Sequence, residues 1–226
     1  MSSWLHEKTD VYFDKNMIYE IFSQAEDYPW YILSHLIEYT KGQEIIDFGC
    51  GTGKYTYALS PYTTHIHAID ASENQIAYTK QRNNHHKNIS YYTISNWKIP
   101  KNTASCMIAC RVLGTIKDIS IRTNIFKNII NTLSPWFTIY FIENDTSWEF
   151  EEIRGKTTDI SLPTITYNRW LVEQWCIPIH NIDTFFQFSS IEEARNIFTA
   201  IRWEWVWKKI TSSKIQHKVI IYKYVV

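Results

Sequence analysis

The chain has 226 residues, 45% of them hydrophobic and 20% charged, enough to core one domain of α/β size and too apolar for a disordered chain. Lys+Arg and Asp+Glu both number 23, so the net charge is zero and the basic excess of a dedicated nucleic-acid binder is missing. Aromatics reach 16%, with 10 Trp and 15 Tyr; this exceeds what a core needs, so some rings are expected to line or cover a pocket.

The N-terminus, Met1-Ser2-Ser3-Trp4-Leu5-His6, lacks an apolar signal segment, and no apolar run approaches a membrane span. Cys106 and Cys110 fall in one expected strand, where positions i and i+4 lie roughly 13 Å apart, too far for a disulfide. No cysteine pair has zinc-ribbon spacing. A cytoplasmic protein with reduced thiols, no membrane partner and no metal is expected. His65 and His67 share one strand face, and His85-His86 end a helix, but no clustered carboxylate or thiol accompanies them.

Residues 1–42 read as helices that precede the first strand and cover the site. Met17, Ile18, Ile21 and Phe22 have helical spacing, and a second helix after Pro29 carries Ile32, Leu33, Leu36 and Ile37 on one face. From residue 43 strands and helices alternate. Ile45, Ile46 and Phe48 form a buried strand, and Thr64–Ile69 a second that ends at Asp70. Ser72-Glu73-Asn74-Gln75 is a capping box for the next helix. Ile89–Ile94 and Ala104–Cys110 read as strands three and four. Asp118 caps a helix with Ile121, Ile125, Ile129 and Leu133 in one stripe, and Phe137–Ile142 is strand five, ending at Glu143. Such alternation implies right-handed crossovers and a doubly wound, mostly parallel sheet.

Residues 144–188 carry Trp148, Phe150, Trp170, Trp175, Phe185 and Phe186 without a βα period, and read as a cap inserted after strand five. A second capping box, Ser190-Ile191-Glu192-Glu193, opens another helix. Trp203, Trp205 and Trp207 alternate as in a strand, which is expected to pair antiparallel with Lys218–Val226 across the Thr211-Ser212-Ser213 turn. Residues 189–226 would thus complete the sheet of the 43–143 core, in one domain overall.

The chemistry centres on Asp47-Phe48-Gly49-Cys50-Gly51-Thr52-Gly53. A strand that turns through glycines into a helix N-terminus brings backbone N–H groups against a ligand with no Cβ in the way. The third glycine comes one residue earlier than in the dinucleotide pattern G-x-G-x-x-G, which disfavours an NAD-dependent oxidoreductase. Asp70, closing the next strand, can accept from two ribose hydroxyls.

These features resemble the class I S-adenosylmethionine-dependent methyltransferases. The resemblance rests on Asp47–Gly53, on Ile69-Asp70-Ala71-Ser72, on Ser95-Asn96-Trp97, on Cys110-Arg111-Val112-Leu113-Gly114-Thr115 and on Leu133-Ser134-Pro135. It implies a seven-stranded Rossmann-like sheet and S-adenosylmethionine as cofactor. It further implies that Asp47, Gly49, Cys50, Gly51 and Gly53 form the cofactor loop, that Asp70 takes the ribose and that Ala71 packs on the adenine. Ser95 or Asn96, with Trp97, would contact the adenine, and the backbone at Cys110 would face the methionine amino group. Trp136-Phe137 stands where the family usually has two glycines.

Methyl transfer needs alignment, and a base only where the acceptor starts protonated. Glu143 and His180 are the candidate bases, with Arg111 and Trp148 as candidate substrate contacts. Where base-modifying relatives carry Asn/Asp-Pro-Pro-aromatic, this chain has Cys110-Arg111-Val112-Leu113, which points to a small, partly apolar acceptor instead of nucleic acid. Two alternatives use the same fold: transfer of the aminocarboxypropyl group of the cofactor, and a non-catalytic partner subunit. Oligomeric state is not legible.

Overall fold

A computed structural model of the chain describes residues 16–82, 85–94, 99, 103–147, 149–154, 158–201 and 204–226. Two helices, α1 (Asn16–Ala25) and α2 (Tyr31–Thr40), precede β1 (Glu44–Phe48), α3 (Lys54–Leu59), β2 (His65–Asp70), α4 (Glu73–Arg82) and β3 (Ile89–Thr93). Then come β4 (Cys106–Cys110), a 3-10 turn at Leu113–Thr115, α5 (Ile119–Ile130) and β5 (Thr138–Asn144). The remainder is α6 (Glu149–Arg154), α7 (Thr158–Glu173), β6 (Ile177–Gln187), α8 (Ile191–Ile201), a 3-10 turn at Glu204–Lys209 and β7 (Lys214–Val225).

The strands form one 7-stranded sheet in the order β3-β2-β1-β4-β5-β7-β6. β1 to β5 pair in parallel, and β7 runs antiparallel between β5 and β6. Strands buried on both faces need largely apolar sequence, which β4 supplies throughout and β1 and β2 supply except at the buried Asp47 and His67 and at their ends. On one face Ile46, Phe48, Met107, Ala109 and Phe141 pack against Phe126 of α5 and Trp170 of α7. On the other, Ile45, Ile66, Ile108 and Ile142 pack against Ile32 and Leu36 of α2 and Leu59 of α3. The expected caps are present: Ser72 Oγ accepts from the Gln75 N–H, Asp118 Oδ1 from the Ile121 N–H and Ser190 Oγ from the Glu193 N–H.

Two expectations are corrected. Residues 177–187, assigned to the cap, are the edge strand β6, and the antiparallel pair is β6 with β7. Ile182, Thr184 and Phe186 are buried in strict alternation. Pro178 at the first turns of the strand, beside a register shift between Pro178 and His180, obscures that pattern, and an edge strand tolerates both. Of the expected Trp203–Trp207 strand, Trp203 lies outside the described residues and the rest is not a strand. Residues 204–209 coil as a 3-10 turn that buries Val206, and Trp207 lies half-exposed with the Arg195 guanidinium 4.4 Å from its ring centroid. With β5 and β6 on its two sides, β7 has no edge left for another strand.

β6 and β7 run on past the end of β5: Asn144 pairs with Val219, while Asp183 to Gln187 pair only with Lys218 to Lys214. This tongue buries a third core, in which Phe186 meets Phe22 of α1, Phe150 of α6, Phe198 of α8 and Phe188 at ring-centroid distances of 5.1, 4.9, 6.0 and 6.3 Å. Phe186→Ala should therefore cost about 3–5 kcal/mol, read as a lower urea midpoint. A loss well under about 1 kcal/mol would mean the tongue packs otherwise.

Candidate active site

All three glycines of the β1–α3 loop are left-handed, with φ of 75° at Gly49, 53° at Gly51 and 85° at Gly53. A Cβ would stand 2.3 Å from Val112 Cγ2 at Gly49 and 2.4 Å from Tyr57 Cε2 at Gly53, so those two positions are sterically restricted to glycine. At Gly51 a Cβ would meet Tyr19 Cε1 of α1 at 3.2 Å. The loop is fastened to the end of β2. Gly49 and Cys50 both donate to the Ile69 carbonyl, at 2.7 and 3.0 Å. Asp70 Oδ2 accepts from the Gly51 N–H at 2.8 Å and Oδ1 from the Ser72 N–H at 2.9 Å. The Ala71 N–H also donates to this carboxylate, which has about four acceptor sites in all and so keeps room for a further donor.

Asp47 lies behind the loop, buried, with its carboxyl accepting from Thr56 Oγ1 of α3; burial raises it to about 7. Ala71 begins the turn into α4, and Cys110 ends β4 with its thiol pushed by burial to about 12. Ser95, Asn96, Trp97 and Trp148 lie outside the described residues.

The end of α1 is tied down over this loop by charge. Lys54 Nζ, at the first residue of α3, donates to the Ser23 carbonyl at 2.7 Å and to the Glu26 carbonyl. Glu26 pairs with Arg111, which follows β4 in a left-handed conformation (φ 55°), and Glu26 Oε1 lies 3.3 Å from His217 Nδ1 of β7. Burial raises the Glu26 carboxyl and lowers the Lys54 ammonium, and the opposite charges around each offset part of that cost. Asp27 then caps α2, accepting from the Ile32 and Leu33 N–H groups and from Thr184 Oγ1 of β6 at 2.9 Å.

Next to this knot is a cavity of about 210 Å³. Tyr19, Phe22, Ser23 and Glu26 come from α1, Arg111, Gly114 and Thr115 follow β4, Glu143 and Asn144 end β5, and Phe150, Thr164, Tyr167 and Asn168 come from α6 and α7. Glu143 is 3% exposed, and its Oε1 accepts from the Tyr167 hydroxyl at 3.0 Å. Burial raises its carboxyl to about 8, against the pull of Tyr167, Arg111 and Arg122. Cys110, Cys176 and Tyr222 also face it, each itself raised by burial.

The structure thus brings Glu143 and Arg111 together in one cavity. His180 does not join them: it stands on β6 under α2, stacked with His35 and Tyr39 at ring-centroid distances of 4.3 and 6.1 Å. The edge strand carries it away from the β4 and β5 ends. Sequence reasoning missed Tyr19, Glu26, Lys54 and Tyr167. The adjacent acids Glu26-Asp27 at the end of a helical stripe were a signal for the first knot; Tyr167 carried none, because α7 was read as irregular.

Between pH 4.5 and about 8 the folded chain keeps a Glu143 proton that the unfolded chain has lost, so this group's contribution is full below 4.5 and vanishes as pH rises through about 8. The thermal midpoint of Glu143→Gln should therefore gain on the unaltered protein across that window; a constant difference would contradict it. Asp70→Ala should weaken S-adenosylhomocysteine binding by on the order of 1.5–3 kcal/mol, and Gly51→Val should abolish it with the far-ultraviolet circular dichroism unchanged. Calorimetric titration that finds normal affinity in either variant would contradict the loop's role.

Residues 45–136 match a family model described as "Methyltransferase domain". No curated protein matches the chain. Among solved structures, a SAM dependent methyltransferase from Aquifex aeolicus superposes with a TM-score of 0.61 at 15% identity, over 94% of this chain and 100% of that one. N-methyltransferase NodS from Bradyrhizobium japonicum, in complex with S-adenosyl-L-homocysteine, gives 0.50 at 12%, over 93% and 87%. A SAM-dependent methyltransferase from Methanosarcina mazei gives 0.55 at 14%, over 83% and 94%.

Proposed function

Given that residues 45–136 are a class I S-adenosylmethionine-dependent methyltransferase domain with S-adenosylmethionine as its cofactor, we propose that the chain methylates a small, partly apolar molecule held in the cavity beside Glu143. The observation that carries this reading is Tyr19: it covers Gly51 of the cofactor loop and lines the cavity as well, so donor and acceptor compartments share one wall.

The loop suits the cofactor on its own geometry. Three glycines leave the backbone open, and Asp70 presents a carboxylate oriented by the Gly51, Ala71 and Ser72 N–H groups. Gly49, Cys50, Gly51 and Asp70 would hold the group, which when bound supplies a sulfonium methyl. The chain's own work is in-line alignment in a dry cleft, worth roughly 7–11 kcal/mol of barrier. Phe22, Phe150 and Tyr167 exclude water around Glu143, and Glu143 stores or releases a proton there. The aromatic lining and a volume of about 210 Å³ support a small acceptor over a polynucleotide strand. The four cysteines are free thiols, which supports a cytoplasmic setting.

Incubation with methyl-labelled S-adenosylmethionine and fractionated cell material tests this. Label is expected in the small-molecule fraction. Label confined to RNA, DNA or protein would overturn the acceptor class, and a parallel incubation with carboxyl-labelled S-adenosylmethionine that transfers label, where the methyl-labelled one does not, would establish aminocarboxypropyl transfer.

A further inference from the structure

Taking the cavity as the acceptor site of the proposed reaction, we propose that the acceptor is a small amine, bound as its ammonium form with the nitrogen against the Glu143 carboxyl. The polar lining of the cavity points there. Among the described residues its charged wall groups are Glu26, Arg111 and Glu143, and Arg111 pairs with Glu26 through Nη2. Among the described residues Glu143 forms no ion pair. Arg122 is near, but its guanidinium donates to the Leu113 and Ile116 carbonyls and stacks 4.9 Å from the centroid of Tyr167. Among the described residues the Glu143 carboxyl is thus held by the Tyr167 hydroxyl, with Arg111 and Arg122 close enough to act on its charge but bonded to other groups.

The remaining polar wall is complementary to a donor. Asn168 gives its amide N–H to the Asn144 carbonyl, which leaves its buried Oδ1 without a partner and able to accept. Tyr19, Phe22, Phe150 and Tyr167 line the space, and aromatic rings attract a cation over their faces. An ammonium against Glu143 supplies the opposite charge that favours its ionised form, which neither a carboxylate nor a neutral hydroxyl does. Arg111 Nη1, also buried and unpartnered, adds one donor to the lining, suited to a neutral oxygen elsewhere on the same molecule.

The proton balance closes. Glu143 takes one proton from the ammonium and leaves a neutral amine. The nitrogen lone pair forms the bond to the methyl carbon as the carbon–sulfur bond breaks, with its electron pair kept by sulfur as a neutral thioether. The product carries the positive charge away as the methylated ammonium, and Glu143 returns its proton to water. Tyr167 keeps the carboxyl aimed. Gly114 makes room for that ring, since a Cβ there would stand 3.1 Å from Tyr167 Cδ1.

Calorimetry separates this inference from the reading it rests on. S-adenosylhomocysteine is titrated first, and its failure to bind refutes the donor loop and with it the amine site. With that ligand bound, phenethylamine, phenethyl alcohol and phenylacetate are titrated into the unaltered protein and into Glu143→Gln. The amine is expected to bind about tenfold or more tighter than the other two. Glu143→Gln should lose that preference while its S-adenosylhomocysteine affinity, which reports its fold, stays unchanged. An amine that binds no better than the alcohol or acid, or a preference that survives Glu143→Gln, overturns the proposal.

Discussion

The turn from β1 into α3 is the constraint on which everything else rests. Three left-handed residues in five force glycine at Gly49, Gly51 and Gly53, and Val112 and Tyr57 fill the volume where side chains would stand. Asp70 then converts a bare loop into a fixed one by accepting from Gly51, so the end of β2 and the end of β1 move as one body. That coupling explains why an acid at the second strand end matters even before any ligand arrives. A carboxylate already oriented by backbone N–H groups loses little freedom when a further donor docks.

The second organising interaction is the buried knot of Lys54, Glu26, Arg111 and His217, which fixes α1 across the loop. Buried ion pairs contribute little net stability, because desolvation consumes most of the attraction, but losing one partner strands the other at about 3–5 kcal/mol. Position is what such a knot secures. Each member comes from a different element, α3, the α1 end, the β4 end and β7, so the pairs set where Tyr19 stands between cofactor loop and cavity. The long β6–β7 tongue is what makes this possible, since it carries His217 and the Thr184 anchor for Asp27 beyond the sheet's parallel edge.

Much of this was legible in the sequence for a physical reason. Buried parallel strands demand largely apolar runs, and a helix N-terminus demands a capping oxygen, so β1 to β5 and the caps at Ser72, Asp118 and Ser190 leave local signatures. The family resemblance extended the same local motif to the cofactor. What escaped was non-local. β6 is half-exposed, opens on Pro178 and has Phe185 facing outward, so its alternation is blurred, and the tryptophan alternation at 203–207 imitated the strand that β6 provides. Lys54 and Glu26 meet because the end of helix α1 lies over the start of α3, a fact no spacing encodes. His180 read as a candidate by its place in an assumed cap, and the edge strand removes it from the cavity.

A crystal structure of the protein with S-adenosylhomocysteine bound tests the central claim, that the glycine loop and the Glu143 cavity form one donor–acceptor site. The account requires the ribose hydroxyls on Asp70, the ligand crossing Gly49 to Gly51, and its sulfur directed toward the cavity between Tyr19 and Glu143. Density for the nucleotide elsewhere, or a sulfur turned away from that cavity, would contradict it.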